Sequence, residues 1–221
     1  MKNIYSLTLL LSLSSVIATA QINFHRLSIG LAGGLTNNHG DLNSPQPSKV
    51  IGGSGSFYFS PFLNADIELQ KGTLSGYETY NSRHFQNDFY AVTLSGKIHL
   101  GQFLPALRRS HGRASLIRHS LQGIFAGAGG GIIQNRQTRI YRETDNSTAS
   151  GLNSNKELFV PLSFGVDNSG FNSRIITGIC YQANYVLGDH VDGYYGGNKN
   201  DFYSTLMLSL KYKFGPKGIH W

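Results

Sequence analysis

From Phe202 to Phe214 the chain alternates between apolar and polar positions. Phe202, Leu206, Leu208, Leu210, Tyr212 and Phe214 share one face, interrupted only by Ser204. Tyr203, Thr205, Met207, Ser209, Lys211 and Lys213 share the other. A period of two specifies a β-strand. Aromatic residues at both ends of the apolar face, with leucines between them, are the pattern of a strand that crosses a bilayer in a barrel.

Seven further segments carry related patterns. His25–Gly34 sets Leu27, Ile29 and Leu31 against Arg26, Ser28 and Gly30. Val50–Phe59 holds Ile51, Phe57 and Phe59 in one phase, with glycines at 53 and 55. Leu63–Lys71 opposes Leu63, Ala65, Ile67 and Leu69 to Asn64, Asp66, Glu68 and Gln70. Asp88–Leu100 opposes Tyr90, Val92, Leu94 and Ile98 to Ala91, Thr93, Ser95 and Lys97. His119–Gln134 is the least patterned, because Gly127, Gly129, Gly130 and Gly131 blur the alternation. Glu157–Val166 keeps Leu158, Val160, Leu162 and Phe164 in phase, with Pro161 on the opposite face, where a local break in the ladder is expected. Asn172–Leu187 completes the set, with Ile175, Ile179, Tyr181 and Tyr185 on one face.

The segments between them also alternate. Thr36–Lys49, Gly72–Asn87, Asn135–Lys156 and Gly188–Asn200 read as long polar loops, while Ser60–Phe62 and Asp167–Phe171 read as short turns. Gly101–Arg118 breaks the rule by being long where a short turn is due. The predicted fold is all-β: an eight-stranded antiparallel up-and-down transmembrane β-barrel, in which the last strand pairs with the first so that no edge faces lipid. A barrel of eight strands is just wide enough to be filled by its own side chains, so a conducting pore is not expected. A secreted sandwich or a soluble barrel of the lipocalin type fits the same periodicity with its faces reversed, since alternation alone does not say which face points outward.

The N-terminus sets the compartment. Lys2, an apolar run from Ile4 to Ile17 and Ala18-Thr19-Ala20 form a secretory signal peptide over residues 1–20, followed by one barrel domain over 21–221. No other run reaches the ~18 to 20 apolar residues of a spanning helix. Charged residues make up 14% of the chain, against about 25% in ordinary soluble domains, and there are 27 glycines. Low charge with abundant Tyr and Phe favours the membrane barrel over the sandwich. The formal net charge is +7, yet no nucleic-acid motif accompanies it, and none is expected as a partner. Cys180 is the single cysteine, so no disulfide forms within the chain, and its place in a strand reads as a small buried or lipid-facing residue.

Candidate chemistry is sparse. Asp66 and Glu68 share a phase with Lys97 and Lys211, and these four are expected to form a charge network filling the barrel interior, since buried charges require partners. The competing reading of the same residues is a catalytic or conductive interior. There is no G-x-S-x-G and no H-E-x-x-H, and the adjacent His119 and Ser120 point to opposite faces of a strand. Asp189, His190 and Asp192 lack the spacing of a calcium loop. No catalytic, metal or cofactor site is therefore expected. The basic connection with Arg108, Arg109 and Arg113 is a candidate docking turn for a periplasmic partner, or a surface for anionic lipid.

Several short stretches recur in order along one group of proteins. Gly40-Asp41-Leu42-Asn43 follows the first strand, Phe103-Leu104-Pro105 the fourth, and Phe125-Ala126-Gly127 opens the second half. Leu162-Ser163-Phe164-Gly165-Val166, the stretch from Tyr185 to Tyr194, and Asn200-Asp201-Phe202-Tyr203-Ser204 follow, before a closing Lys211-Tyr212-Lys213-Phe214-Gly215. In these the chain resembles the small outer-membrane β-barrels of Bacteroidetes, of the OmpA-type eight-stranded class, and especially those similar to PorG. It departs from them at Gly188 and His190, which interrupt an acidic run, and in the tail from Gly215 to Trp221. The resemblance implies an integral outer-membrane protein in contact with outer-membrane lipid, with a structural or assembly role. It also implies, as alternatives, an accessory barrel of a type IX secretion apparatus with periplasmic or lipoprotein partners, or a lipid-modifying enzyme.

Overall fold

The computed structural model describes residues 22–39, 44–78, 83–102, 121–141, 154–168, 174–188 and 201–220. The strands are β1 (Ile22–Asn38), β2 (Ser44–Gln46), β3 (Ser48–Ser60), β4 (Leu63–Glu78) and β5 (Arg83–His99), then β6 (Ile124–Tyr141), β7 (Ser154–Asn168), β8 (Ile175–Val186) and β9 (Phe202–His220). One 3-10 turn, Leu100–Gln102, follows β5. Apart from the short β2, each long strand pairs antiparallel with its neighbour in sequence, and β9 returns to β1, which closes an eight-stranded up-and-down barrel. β2 takes over from β3 beside the far end of β4, through Ser44–Tyr77 and Gln46–Ser75.

The strands run further than periodicity alone indicates. Much of the expected loop 72–87 is strand: β4 and β5 stay paired out to Glu78 and Arg83. Tyr77 to Asn87 is polar and turn-prone, but the backbone ladder of a hairpin continues wherever two strands already lie side by side, whatever the side chains above the bilayer. The expected tail after Phe214 is strand too. Phe214 pairs with Leu27 and Lys217 with His25, so Gly215 and Pro216 together oppose Arg26 in a bulge. Gly215 takes φ 82°, open to glycine, and Pro216, which has no N–H to give, is carried where the ladder is already interrupted. His25 Nδ1 donates to the Gly215 carbonyl at 3.2 Å and ties the bulge down. At Pro161 the β6–β7 ladder lacks the pairs Gly129–Pro161 and Gly130–Val160, while the register on either side is unchanged.

The orientation of the faces decides between the two barrel types. The outward face is apolar: Leu31 is 75% exposed, Leu94 65% and Leu208 64%. The inward face buries Asp66, Lys97, Asp167 and Lys211. A soluble barrel has the reverse arrangement. The run from Tyr90 to Leu100, at about 3.3 Å per residue and roughly 40° of tilt, rises about 25 Å, the height of a lipid-facing band.

The lumen is packed by a repeated device. Large inward side chains lie directly opposite inward glycines on the next strand: Lys97 opposite Gly127, Lys211 opposite Gly30, Asp167 opposite Gly178, Phe89 opposite Gly72, Phe159 opposite Gly131, Phe125 opposite Gly165 and Met207 opposite Gly34. A Cβ at Gly127 would meet Lys97 Cγ at 2.8 Å, and one at Gly72 would meet the Phe89 ring at 2.8 Å. The glycines that blur the pattern of β6 are therefore half of its packing. Small residues opposite large ones let a narrow barrel be filled without voids.

Candidate functional site

The interior divides along the barrel axis. Toward the end with the long connections after β1, β6 and β8 lies an apolar cluster of Val50, Leu74, Phe89, Ala91, Ile133, Phe159, Val186, Tyr203 and Met207. The Tyr203 ring stands 5.7 Å from that of Phe89 and 6.1 Å from that of Phe159. These groups meet because β4, β5, β6, β7 and β9 all present an inward apolar residue at one level.

Toward the short-turn end the lumen holds charges. Lys97 on β5 pairs with Asp66 on β4 at 2.5 Å, and Asn64 Nδ2 donates to the same carboxylate. Lys211 on β9 reaches Asp167 on β7 at 3.2 Å, and His99 Nε2 lies 3.6 Å from that carboxylate. β8 lies between β7 and β9, and its residue opposite Asp167 is Gly178. A Cβ there would collide with the Asp167 carboxylate and the Ser209 hydroxyl, so glycine clears the path across β8. The Lys97 ammonium also sits 5.2 Å from the centre of the Phe125 ring. The β3–β4 turn closes this end. Phe62 is buried, its carbonyl accepts from the His99 backbone N–H at 2.8 Å, and His99 Nδ1 lies 3.4 Å from the same oxygen.

Of the four residues expected in the interior network, Asp66 and Lys97 are brought together directly. The ion pair that Lys211 makes is with Asp167 rather than with Asp66 or Glu68. Glu68 instead accepts from Gln70 Nε2 at 3.1 Å, and the same nitrogen donates to Gln182 Oε1 at 2.8 Å, which forms a layer of one carboxylate and two amides between the ion pairs and the apolar cluster. Sequence reasoning missed Asp167 and His99. Asp167 was placed in a turn, but it continues the inward phase of Pro161, Ser163 and Gly165, and an acidic residue in that phase opposite a glycine was the available signal. His99 follows Lys97 by two residues and so shares its polar face. Arg108, Arg109 and Arg113, together with His119, Ser120, Asp189, His190 and Asp192, lie outside the described residues.

Two ion pairs, Lys97–Asp66 and Lys211–Asp167, form a charge-compensated layer. Each charge loses hydration on burial and regains it as Coulomb attraction and hydrogen bonds. Cys180 faces the lumen between Gly178 and Gln182. Among the described residues no group of three His, Cys, Asp or Glu side chains is placed to hold a metal ion. At the opposite end, His39 Nε2 lies 2.9 Å from Ser204 Oγ on β9, and the His39 ring stands 5.3 Å from that of Phe202. A histidine bonded to a serine is the beginning of a nucleophile and its base. Among the described residues, however, no carboxylate is bonded to His39, and Ser204 is buried at 4% exposure. In this arrangement the pair ties His39 to β9.

No protein-family model matches the chain, and no curated protein sequence matches it. Solved structures do. The attachment invasion locus protein Ail of Yersinia pestis matches with a TM-score of 0.50 at 10% identity, over 86% of this chain and 99% of that one. Neisserial surface protein A matches with a TM-score of 0.49 at 11% identity, over 85% and 97%. The likeness to Ail is one of fold, the eight-stranded barrel of outer-membrane proteins.

Removing one partner of the Asp66–Lys97 pair tests the charge layer. Lys97→Met leaves Asp66 buried without its cation and is expected to destabilise the barrel by roughly 3 kcal/mol. Asp66→Asn combined with Lys97→Met should recover most of that loss. Urea unfolding from lipid vesicles measures both, and equal stability of the single variant and the wild-type chain would contradict the pairing.

Proposed function

We propose that this chain is an integral outer-membrane protein whose barrel is a closed structural body, neither a pore nor an enzyme. One observation carries the reading: the apolar residues are outside, the charged ones inside. An exposed apolar belt of this size on a soluble protein would exceed the few hundred Å² that such surfaces tolerate, whereas lipid is its natural solvent. Residues 1–20 then serve as the export signal, and the short-turn end faces the periplasm, as in barrels that pair long external loops with short internal turns. The lumen argues against conduction, since an apolar cluster crosses it at one end and paired charges with Phe62 fill the other. The non-enzymatic reading rests on a His39–Ser204 pair without a described acid and with its hydroxyl covered. In planar bilayers the purified chain is expected to give no discrete single-channel steps, and steady channels of uniform conductance would refute the closed-body reading.

A second reading is favoured by the placement of one connection. The chain leaves the described structure at Gln102 and re-enters at Leu121, both at the short-turn end, where the first and last described residues, Ile22 and His220, also lie. The basic connection with Arg108, Arg109 and Arg113 therefore starts and finishes on the proposed periplasmic side. There it suits an accessory role in a PorG-like secretion assembly, docking an acidic periplasmic protein or lipoprotein. Replacing the three arginines by serine should remove any periplasmic protein that co-purifies with the wild-type barrel; retention of the same proteins would eliminate this role for the connection.

A further inference from the structure

The outward face ends abruptly toward the long-loop end along four consecutive strands. Leu69, Val92, Ile132 and Leu158 form one paired row across β4, β5, β6 and β7, each about half exposed or more. The next outward row, in the same register, is Lys71, Tyr90, Gln134 and Lys156. The row above that is Thr73, Asp88, Arg136 and Ser154. Thus within one step along the strands the surface passes from purely apolar to cationic. Lys49 on β3 extends the sector on its other flank, its carbonyl lying beside Gly72.

One carboxylate, Asp88, lies among these cations, opposite Arg136 and near enough to act on Lys71. Lys49, Lys71, Arg136 and Lys156 are all exposed, and among the described residues none is ion-paired with a carboxylate. Lys71 stands over the Tyr90 ring at 5.2 Å and is hydrogen-bonded with Tyr90, contacts that leave it a cation at the surface. Asp88, the acidic residue in these rows, accepts a hydrogen bond from Thr73 Oγ1 at 3.0 Å. The opposite wall is different. Leu35 on β1, Leu206 on β9 and Leu187 beyond β8 remain about half exposed and apolar toward the same end, with no outward cation among the described residues there. Among the described residues the positive charge is therefore a sector, not a belt.

Resting on the reading that the barrel spans a membrane, we propose that this sector, Lys49, Lys71, Arg136 and Lys156, is a docking surface for the phosphate groups of anionic lipids in the leaflet at the long-loop end. On each of these strands the last apolar outward side chain marks where the acyl chains stop, so the outward residues one or two steps beyond it lie toward headgroup depth, where a tyrosine is favoured and basic residues meet phosphate. A protein partner would be free to bind further out, beyond the apolar boundary. A lipid phosphate is confined to the depth at which these cations lie.

The test uses the full mature chain reconstituted in phosphatidylcholine vesicles, with spin-labelled phosphatidic acid or phosphatidylcholine as the probe lipid. A basic residue at the surface attracts anionic lipid by roughly fivefold when unscreened. The wild-type chain is therefore expected to hold phosphatidic acid in its first lipid shell at least about threefold over phosphatidylcholine at low salt. Replacing all four cations by glutamine should bring the ratio close to one, while Lys71→Arg with Lys156→Arg should keep it. Arg174→Gln with Lys217→Gln, at the opposite rim, should leave most of the preference in place. A quadruple variant that inserts normally and keeps the wild-type ratio would overturn the sector, as would a preference lost only with the opposite-rim pair. A binding role toward an acidic protein instead would show as that same unchanged ratio. Heat-modifiable migration in gels is read in parallel. A wild-type chain that fails to insert would overturn the membrane reading and the sector with it, whereas insertion without lipid preference overturns the sector alone.

Discussion

Closure of the sheet is the constraint on which the rest depends. A strand in hydrocarbon has no water to satisfy its backbone N–H and C=O groups, so each must find a partner within the sheet. β9 supplies the last of those partners by pairing with β1 along nearly its whole length, from Asn38–Tyr203 to Ile22–His220. The bulge at Gly215 and Pro216 belongs to the same requirement. It carries a proline within the closing seam and allows pairing to resume beyond it, so that the seam ends with both strands rather than at Phe214.

Closing eight strands leaves a lumen with no room for a second layer of structure. The side chains must fill it themselves, and they do so as cross-strand pairs of one large and one absent side chain. The same pairing serves aromatic rings at one end and charged groups at the other: Phe159 opposite Gly131 and Lys211 opposite Gly30 are one solution with different chemistry. The ionic layer follows from this geometry. Once Lys97 and Lys211 point inward there is no route to bulk water within the band, and Asp66 and Asp167 compensate them. Specificity of register follows, because a one-residue slip of β9 would turn Lys211 to lipid and Leu210 into the charge layer.

The strands were legible in the sequence where lipid acts on them. Leu63, Ala65, Ile67 and Leu69 or Leu206, Leu208 and Leu210 alternate because one face is held apolar by hydrocarbon. Beyond the band that pressure ends, and Gly72–Asn87 reads as loop although most of it is hairpin ladder, held by backbone hydrogen bonds that leave no mark on side-chain polarity. The glycine-rich β6 was obscure for a related reason: Gly127, Gly129 and Gly131 are chosen by what stands opposite them, information that lies on β5 and β7. The pairing of Lys211 was hidden in the same way. Its partner is two strands away, across Gly178, and nothing local to Lys211 points to Asp167. Phase alone assembled Asp66, Glu68, Lys97 and Lys211 on the inner face, but not the partition of the lumen into ion pairs, an amide-bonded Glu68 layer and an apolar cluster.

The apolar face of each strand meets lipid while the charged face meets the lumen. Nitroxide labels placed singly along β9, at Leu206, Leu208 and Leu210 and at Thr205, Met207 and Ser209, report this directly in reconstituted vesicles. A period of two is expected: the first three sites collide freely with oxygen dissolved in the bilayer and are shielded from a water-soluble nickel chelate, while the other three are poorly reached by oxygen. Leucine-site labels that are readily reached by the nickel chelate would place that face in water and contradict the account.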